Sequence, residues 1–278
     1  MVSGLLAGLV FALIAMGLTL IFGVMDVVNF AHGEFLMIAM YVTFALSLVG
    51  FQPLAALPIV AIVLFVIGAI IYRVFVRRLL EGPPEATIFG TFGLLVLFQG
   101  LAQYFLTGDV RSVSNTWFTG TLQLGPVRIG ESDLLEGIGA LVIAVLLYLF
   151  IEYTETGRAM RATSEDRMAA TLMGVNVQRV NVLAWGIGSA CAGAAGALLM
   201  LTYQVYPTVG AEFALTAFVV VALGGFGSIQ GAFIGALLVG LVEVLGGFYL
   251  SPAIKMIPVY MLYLIVVLLR PQGLLGRR

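Results

Sequence analysis

Apolar residues occur along the chain in long runs that charged residues rarely interrupt. Runs without Asp, Glu, Lys or Arg extend over 1–25, 35–72, 86–108, 180–211 and 213–242. Each is longer than the roughly 20 residues that an α-helix needs to cross the hydrocarbon core of a bilayer. The pattern therefore predicts a polytopic membrane protein built from apolar helices.

Proline, glycine and charged residues divide these runs into shorter apolar segments. The predicted helices cover residues 2–24, 34–50, 54–76, 88–106, 133–152, 181–203, 213–226, 231–250 and 257–270. The segments 213–226 and 231–250 are also compatible with one re-entrant element. We therefore expect an all-α fold, a transmembrane bundle of about 8–9 membrane-embedded helices, with residues 1–278 forming one domain.

The distribution of basic residues predicts the orientation, because cations are retained in the cytoplasmic loops of membrane proteins. If the N-terminus is outside, ten of the thirteen basic residues are cytoplasmic: Arg73, Arg77, Arg78, Arg158, Arg161, Arg167, Arg179, Arg270, Arg277 and Arg278. Only Arg111, Arg128 and Lys255 are then external. We therefore expect an external N-terminus and a cytoplasmic C-terminus.

Composition excludes several classes of function. Apolar residues make up 62% of the chain and charged residues 10%, less than half of the charge that a soluble domain carries. The net charge of −1 and the absence of a Lys/Arg-rich run argue against a nucleic-acid partner. Cys191 is the only cysteine, so neither an intrachain disulfide nor a cysteine-based metal cluster can form. The first apolar run exceeds the h-region of a signal peptide, and we interpret it as a retained first span.

Three partial motifs fail to supply an enzymatic site. His32-Gly33-Glu34 matches the His-x-Glu of zinc deaminases, but that site needs a Pro-Cys-x-x-Cys partner. A P-loop requires Gly-Lys-Ser/Thr, whereas Lys255, the single lysine, follows Ile254. Gly225-x-Gly227 lacks the βαβ context of a dinucleotide site. We expect no metal, no cofactor and no ATPase site in this chain.

Small residues recur every four positions in three of the predicted helices. The stripes are Gly4, Gly8 and Ala12; Gly188, Ala192 and Gly196; and Gly227, Gly231 and Gly235. In lipid such faces let helix backbones approach and gain van der Waals contact. Intramolecular packing is the leading interpretation, and a translocation path or a partner subunit is the alternative.

Polar residues inside a membrane are costly and therefore mark candidate functional positions. Asn29, His32 and Glu34 lie where the first apolar run ends and the second begins, and Glu243 lies within the eighth predicted helix. They support a translocation pathway, to which we assign Gly225 and Gly227 as well. The alternatives are an interfacial turn for the first three and a paired carboxylate for Glu243.

Two hydrophilic segments are longer than turns. The external segment 107–132 contains Trp117 and Arg111, residue types common at interfaces, and is predicted to receive an external binding protein. The cytoplasmic segment 153–179 is predicted to be helical, with breaks at Gly157, Gly174 and Asn176. A charged helix broken by glycine can transmit the motion of a soluble ATPase as a rigid body.

Three stretches, 17–35, 157–166 and 222–232, resemble branched-chain amino acid ABC transporter permeases of the LivH type. The similarity covers essentially the whole chain and ends in Arg270-Pro-Gln-Gly-Leu274. It implies a permease subunit of the cell (inner) membrane that translocates branched-chain or related amino acids. The implied partners are a second related permease, two cytoplasmic ATPases and an extracytoplasmic substrate-binding protein.

The resemblance also implies where the ATPase docks, in a coupling segment at about 153–180. The coupling residues are Gly157, Arg158, Arg161, Glu165, Asp166, Ala169, Ala170 and Gly174. The chain departs from the family's Glu-Ala-Ala-x-x-x-Gly loop at Met168, which stands in the place of the glutamate. A salt bridge made by that glutamate is therefore not expected.

Other transport classes remain alternatives at this stage. A urea or short-amide permease and a ribose-type sugar permease share the architecture. A secondary carrier needs intramembrane coupling groups, for which Glu243 is the only clear acidic candidate, and it leaves the segment 153–179 without a purpose. A structural membrane subunit is the remaining alternative, and co-purification of ATPases separates the ABC hypothesis from the last two.

Overall fold

The computed structural model describes residues 1–113, 120–124 and 127–276. Trp117, Arg277 and Arg278 therefore lie outside the described residues. The described chain is mostly helical. The exception is an antiparallel hairpin of two short strands, β1 (Thr121–Leu124) and β2 (Val127–Gly130).

The first half of the chain forms five helices before the hairpin. They are α1 (Val2–Met25), α2 (His32–Leu48), α3 (Pro53–Ile71), α4 (Arg77–Leu79) and α5 (Pro84–Leu106), with a π-helical turn (Tyr72–Val76) joining α3 to α4. The second half contains α6 (Glu131–Tyr153), α7 (Glu155–Glu165), α8 (Arg167–Leu172), α9 (Val177–Leu199), α10 (Val209–Gly224), α11 (Ile229–Tyr249) and α12 (Met256–Leu269), the last preceded by a 3-10 turn (Pro252–Ile254).

All nine predicted apolar segments are helical. Seven helical spans of the described chain are long and apolar enough to cross a membrane, where α3 is counted together with the π-helical turn and α4 (Pro53–Leu79) and α12 together with its 3-10 turn (Pro252–Leu269). The other two apolar helices, α2 and α10, have 17 and 16 residues. The chain is thus a multi-pass membrane protein with two helices shorter than a typical span.

The bundle has two distinct ends, which we call the basic end and the opposite end. At the basic end α1, α4, α6 and α10 finish and α9 and α11 begin. Arg167 of α8 donates to the carbonyl of Val24 there, and the C-terminal segment returns to α10 where the Leu274 amide donates to the carbonyl of Leu223. At the opposite end the chain following α5 pairs with the chain following α9, through backbone hydrogen bonds between Arg111 and Val205.

Helices α1 and α9 form the centre of the bundle. In each, 78% of the membrane-length window is buried, compared with 17% in α5 and 6% in α12. Helix α1 is therefore surrounded by protein on nearly all sides, whereas α5 and α12 present most of their surface outward.

The small-residue stripes pack within the chain, as predicted. A Cβ added to Gly8 would lie 3.0 Å from the carbonyl oxygen of Ala236 in α11. A Cβ added to Gly17 would lie 2.8 Å from the carbonyl oxygen of Gly188 in α9. Helix backbones thus lie in direct contact, and any side chain larger than hydrogen would separate them.

The two short helices begin halfway through the bundle. After α1 ends at Met25, residues 26–31 return along α1 without helical structure, and Nε2 of His32 then lies 3.0 Å from the carbonyl oxygen of Ile14, midway along α1. Gly210, at the start of α10, packs against the backbone of Gly33. From this shared depth α2 runs toward the opposite end and α10 toward the basic end. We call the region where they meet the helix junction.

The junction predicts a large stability difference between two glycine-to-alanine substitutions. A Cβ on Gly210 would lie 2.7 Å from the carbonyl carbon of Gly33, so Gly210→Ala should lower the free energy of unfolding by roughly 1–3 kcal/mol. Gly93, on the outward face of α5, has nothing within 4 Å of an added Cβ. Gly93→Ala should raise stability slightly because alanine favours helix. Thermal melting in detergent measures both, and equal melting temperatures would contradict the packing of the junction.

Candidate translocation site and coupling segment

The helix junction holds three polar side chains away from solvent. Asn29, His32 and Glu34 each have an exposed fraction of 0%. The sequence places them there because α1 ends in a left-handed residue, Asp26 with φ 57°, which turns the chain back into the bundle. The sequence predicts a polar turn at these residues. In the structure this turn reaches the middle of the bundle.

Each of these side chains has a hydrogen-bond partner for only one of its two polar atoms. Oδ1 of Asn29 accepts from the amide of Ala31 at 3.1 Å, Nε2 of His32 faces the Ile14 carbonyl, and Oε1 of Glu34 accepts from Nε2 of Gln99 at 3.0 Å. The second polar atom of each, Nδ2 of Asn29, Nδ1 of His32 and Oε2 of Glu34, has no hydrogen-bond partner. Buried polar atoms are nearly always paired, so three unfilled atoms within six residues require an explanation.

Of the three side chains, the carboxylate of Glu34 is the most costly to bury. No ion pair of Glu34 occurs among the described residues, and a buried carboxylate without a cation costs several kcal/mol. Its place in the first turn of α2 offsets part of this cost, because the helix N-terminus carries a partial positive charge. The arrangement therefore suits the arrival of a cationic group.

Helix α5 supplies polar partners that sequence reasoning missed. The side-chain amide of Gln99 donates to Glu34. The hydroxyl of Thr91 lies 3.2 Å from the carbonyl oxygen of Val28 and is also in hydrogen-bond reach of the Thr87 carbonyl in its own helix. Only four residues of α5 are buried, among them Thr87 and Thr91. The detectable signal was the amide of Gln99 within a mostly apolar run, because an amide is costly in a membrane helix.

A cavity of about 520 Å³ lies at the basic end, beside the segment that leads to the junction. Its wall includes Val28 of that segment, Thr87 of α5, and Glu165 and Arg167 from the region of α7 and α8. The cavity thus connects the coupling segment, α5 and the approach to the junction in one space.

The coupling segment consists of two short capped helices. The Thr154 hydroxyl accepts from the amide of Gly157 at 3.0 Å and caps α7, while Oδ1 of Asp166 accepts from the amides of Met168 and Ala169 and caps α8. Gly174 follows α8 with φ 86°, a left-handed conformation that favours glycine. Arg161 forms an ion pair with Glu152 that ties α7 to the end of α6.

One predicted break in this segment is wrong. Gly157 lies inside the first turn of α7, and the breaks fall at Thr154 and Asp166. Glycine is needed at 157 because an added Cβ would collide with the backbone of Ile151. Gly174 and Asn176 do separate α8 from α9, as predicted, since Asn176 caps α9.

The surface of α8 is unusually apolar for a segment outside the spanning helices. Met168, Leu172 and Met173 are 76%, 82% and 85% exposed. Arg158, Glu165, Asp166 and Ala169 are also exposed, whereas Ala170 is buried. We call Met168, Leu172 and Met173 the α8 patch. Exposed large apolar side chains grouped along one short segment are typical of a protein interface.

The remaining predicted pathway residues lie elsewhere. Gly225 and Gly227 form the turn between α10 and α11 at the basic end, with φ of 102° and 79°. Glu243 is near the opposite end of α11, where its Oε1 lies 2.6 Å from Nζ of Lys255. The contacts of the described residues thus pair Glu243 with a neighbouring cation, and they do not bring these three residues to the helix junction.

Arg111 anchors the start of the segment 107–132, which the sequence predicts to be external. Its guanidinium donates to the carbonyl of Leu106 at 2.6 Å and lies over the ring of Phe44, with 5.5 Å between the guanidinium carbon and the ring centroid. Arg111 is thus engaged within the chain. Landing of a binding protein on this segment stays a prediction, and the Trp117 part of it falls outside the described residues.

Comparison with known proteins identifies relatives along the whole chain. Residues 1–268 match the family described as branched-chain amino acid transport system / permease component. The chain is 35% identical to the high-affinity branched-chain amino acid transport system permease protein LivH of Salmonella typhimurium, covering 100% of the chain and 94% of the relative. It is 31% identical to the permease protein BraD of Pseudomonas aeruginosa, covering 100% and 95%.

A more distant relative represents the sugar alternative. The ribose import permease protein RbsC of Escherichia coli is 26% identical over 82% of the chain and 72% of the relative. No solved structure gives a significant match. The match over nearly the whole chain places the protein in one family: it belongs to the permease components of branched-chain amino acid transport systems.

Proposed function

We propose that this chain is a membrane-spanning permease subunit of an ABC importer that carries branched-chain amino acids into the cell. The observation that carries the proposal is the similarity to LivH and BraD over the full length of the chain. The ribose alternative is weaker, because the match to RbsC is lower in identity and in coverage. Residues 1–278 form one permease domain in this proposal.

The proposed topology has the N-terminus outside and the basic end in the cytoplasm of a bacterial inner membrane. The grouping of cations supports it, because Arg73, Arg77 and Arg78, in the π-helical turn and α4, lie at the same end as the arginines of α7 and α8. Helices α2 and α10, which begin inside the bundle, then complete the proposed set of 8–9 membrane-embedded helices.

The proposed partners follow from an energy requirement. The chain has no P-loop lysine, so ATP hydrolysis is assigned to two cytoplasmic ATPase subunits. The α8 patch is the proposed contact with one of them. A second related permease completes the membrane portion, and an extracytoplasmic binding protein delivers the amino acid at the opposite end.

A physical link joins the proposed ATPase contact to the proposed pathway. Arg167 follows the Asp166 cap and donates to the carbonyl oxygen of Val24 at 3.3 Å, so displacement of α8 pulls on the end of α1. The segment after Val24 leads directly to Asn29 and His32. The cavity at the basic end lies beside this link and is the proposed exit toward the cytoplasm.

Reconstitution tests the proposal as a whole. Vesicles holding this chain, its partner permease, both ATPases and the binding protein should accumulate leucine when ATP is supplied, and imposed proton or sodium gradients should change nothing. Vesicles holding this chain alone should not accumulate leucine. Accumulation by the chain alone, driven by a pH or sodium gradient, would establish a secondary carrier and overturn the proposal.

Substitution at Gly174 should separate coupling from folding. Gly174→Leu puts a side chain on a left-handed residue next to α8, costing about 1 kcal/mol and shifting the α8 patch, and we expect at least a tenfold loss of ATP-driven leucine uptake. Gly50→Leu is the matched control. Gly50 has φ 95° and equally open surroundings but lies between α2 and α3 at the opposite end. Equal leucine uptake by the two variants would contradict the proposed role of the coupling segment.

Labelling of engineered cysteines should establish the orientation. Cys191 is buried, so wild-type protein should not react with a membrane-impermeant maleimide. Ser112→Cys, in the exposed chain after α5, should react in intact cells. Ser164→Cys, on exposed α7, should react only after the membrane is permeabilised. Reaction of Ser164→Cys in intact cells would reverse the proposed topology.

A further inference from the structure

The unfilled polar atoms of the helix junction have a definite chemical character. Nδ2 of Asn29 is a donor and Oε2 of Glu34 is an acceptor. The Ile14 carbonyl only accepts, so Nε2 of His32 carries the ring proton and Nδ1 of the neutral ring is an acceptor. His32 and Glu34 are two residues apart on α2 and therefore face different neighbours, His32 the backbone of α1 and Glu34 the side chain of Gln99 in α5. The unfilled oxygen of the fully buried Glu34 is thus an acceptor on the side of α5.

An α-amino acid presents a group complementary to this acceptor, because its ammonium has three N–H donors. We propose that the helix junction is a subsite for the amino acid in transit, with the unfilled carboxylate oxygen of Glu34 receiving the α-ammonium. This inference rests on the proposed function and adds to it the group that recognises the ammonium of the substrate.

The surroundings of Glu34 support a specific site for the ammonium rather than a polar wall without a preferred ligand. Gln99 holds one carboxylate oxygen and leaves the other unfilled, so Gln99 acts as a positioning residue. No cation among the described residues pairs with Glu34, and the substrate ammonium supplies the missing charge. By contrast, the buried Glu243 already has Lys255 as its partner.

Helix α5 provides the route by which substrate reaches Glu34. Its buried contacts are few, and the Glu34 to Gln99 hydrogen bond is one of its polar attachments to the bundle. Thr87 and Val28 line the cavity at the basic end, on the side where residues 26–31 lead to the junction. Displacement of α5 would open the junction toward this cavity. The affinity of the subsite is expected to be low, because substrate must leave it again.

A purely structural role for Glu34 makes a different prediction. Its carboxylate could serve only to stabilise the N-terminus of α2, and its removal would then lower stability equally with and without ligand. A ligand that binds the folded protein raises its melting temperature, so ligand-dependent stabilisation distinguishes the two roles. Glu34→Gln is informative because the amide retains a hydrogen bond to Gln99 while the charge is lost.

The experiment measures melting of the assembled permease and ATPase complex, without binding protein, in up to about 50 mM of three probes. The probes are L-leucine, 3-methylbutylamine, which lacks the carboxylate, and 4-methylpentanoate, which lacks the ammonium. Leucine and the amine should raise the melting temperature of the wild-type complex, and the acid should not. Glu34→Gln should raise the leucine concentration for half-maximal effect at least tenfold.

Glu136→Gln is the matched control. Glu136 is also buried, 7% exposed, with a single bond from the Thr202 hydroxyl at 2.6 Å, and it lies in α6 near the opposite end. Its leucine response should equal that of wild type. An unchanged response in Glu34→Gln, stabilisation by the acid alone, or no stabilisation by any probe would overturn the subsite.

Two further measurements apply if the variant does not assemble or if the function itself is in question. If Glu34→Gln fails to assemble, the three probes on the wild-type complex still give the expected or the contradicting order. ATP-driven leucine uptake by the complete wild-type assembly is measured in parallel. Absence of that uptake contradicts the proposed function, whereas normal uptake without the ammonium-dependent stabilisation contradicts the subsite only.

Discussion

Backbone contact between glycines is the constraint on which the rest of this structure depends. In lipid the hydrophobic effect does not drive helices together, so association relies on close packing and polar contacts. Gly240 of α11 packs on Gly8, and Gly17 packs on Gly188 of α9, so closely that a side chain on Gly240 or Gly17 would force the helices apart. Helix α1 is thereby surrounded by its neighbours, and its carbonyl at Ile14 becomes a buried partner for His32.

The same kind of contact makes the helix junction possible. Gly33 and Gly210 pack backbone to backbone, which allows two helices to begin side by side in the middle of the bundle. A non-helical approach to that depth leaves backbone groups without helical partners, and membrane proteins tolerate this only where other groups satisfy them. Here Asn29 accepts from the amide of Ala31, and Thr91 donates to the carbonyl of Val28. The polar residues of the junction thus stabilise the approach, and each keeps one polar atom without a hydrogen-bond partner.

The bundle contains densely packed central helices and helices that face mostly outward. The centre, α1 and α9, is densely packed, whereas α5 presents most of its surface outward and holds the junction through a few polar contacts. The coupling segment contacts the end of α1 through Arg167 and lies beside the cavity that α5 lines.

The sequence by itself determined the membrane class, the nine helical segments and the packing role of the glycine stripes, because apolar run length and small-residue spacing are local properties. It also located Asn29, His32 and Glu34, since polar residues beside apolar runs are costly wherever they pack. Only the tertiary structure decided that α2 and α10 meet at half depth, that Gln99 faces Glu34, and that Glu243 is paired with Lys255. Only the tertiary structure likewise explains Gly157, which avoids the Ile151 backbone and does not break a helix. These features depend on contacts between distant segments, which a pattern along one helix does not contain.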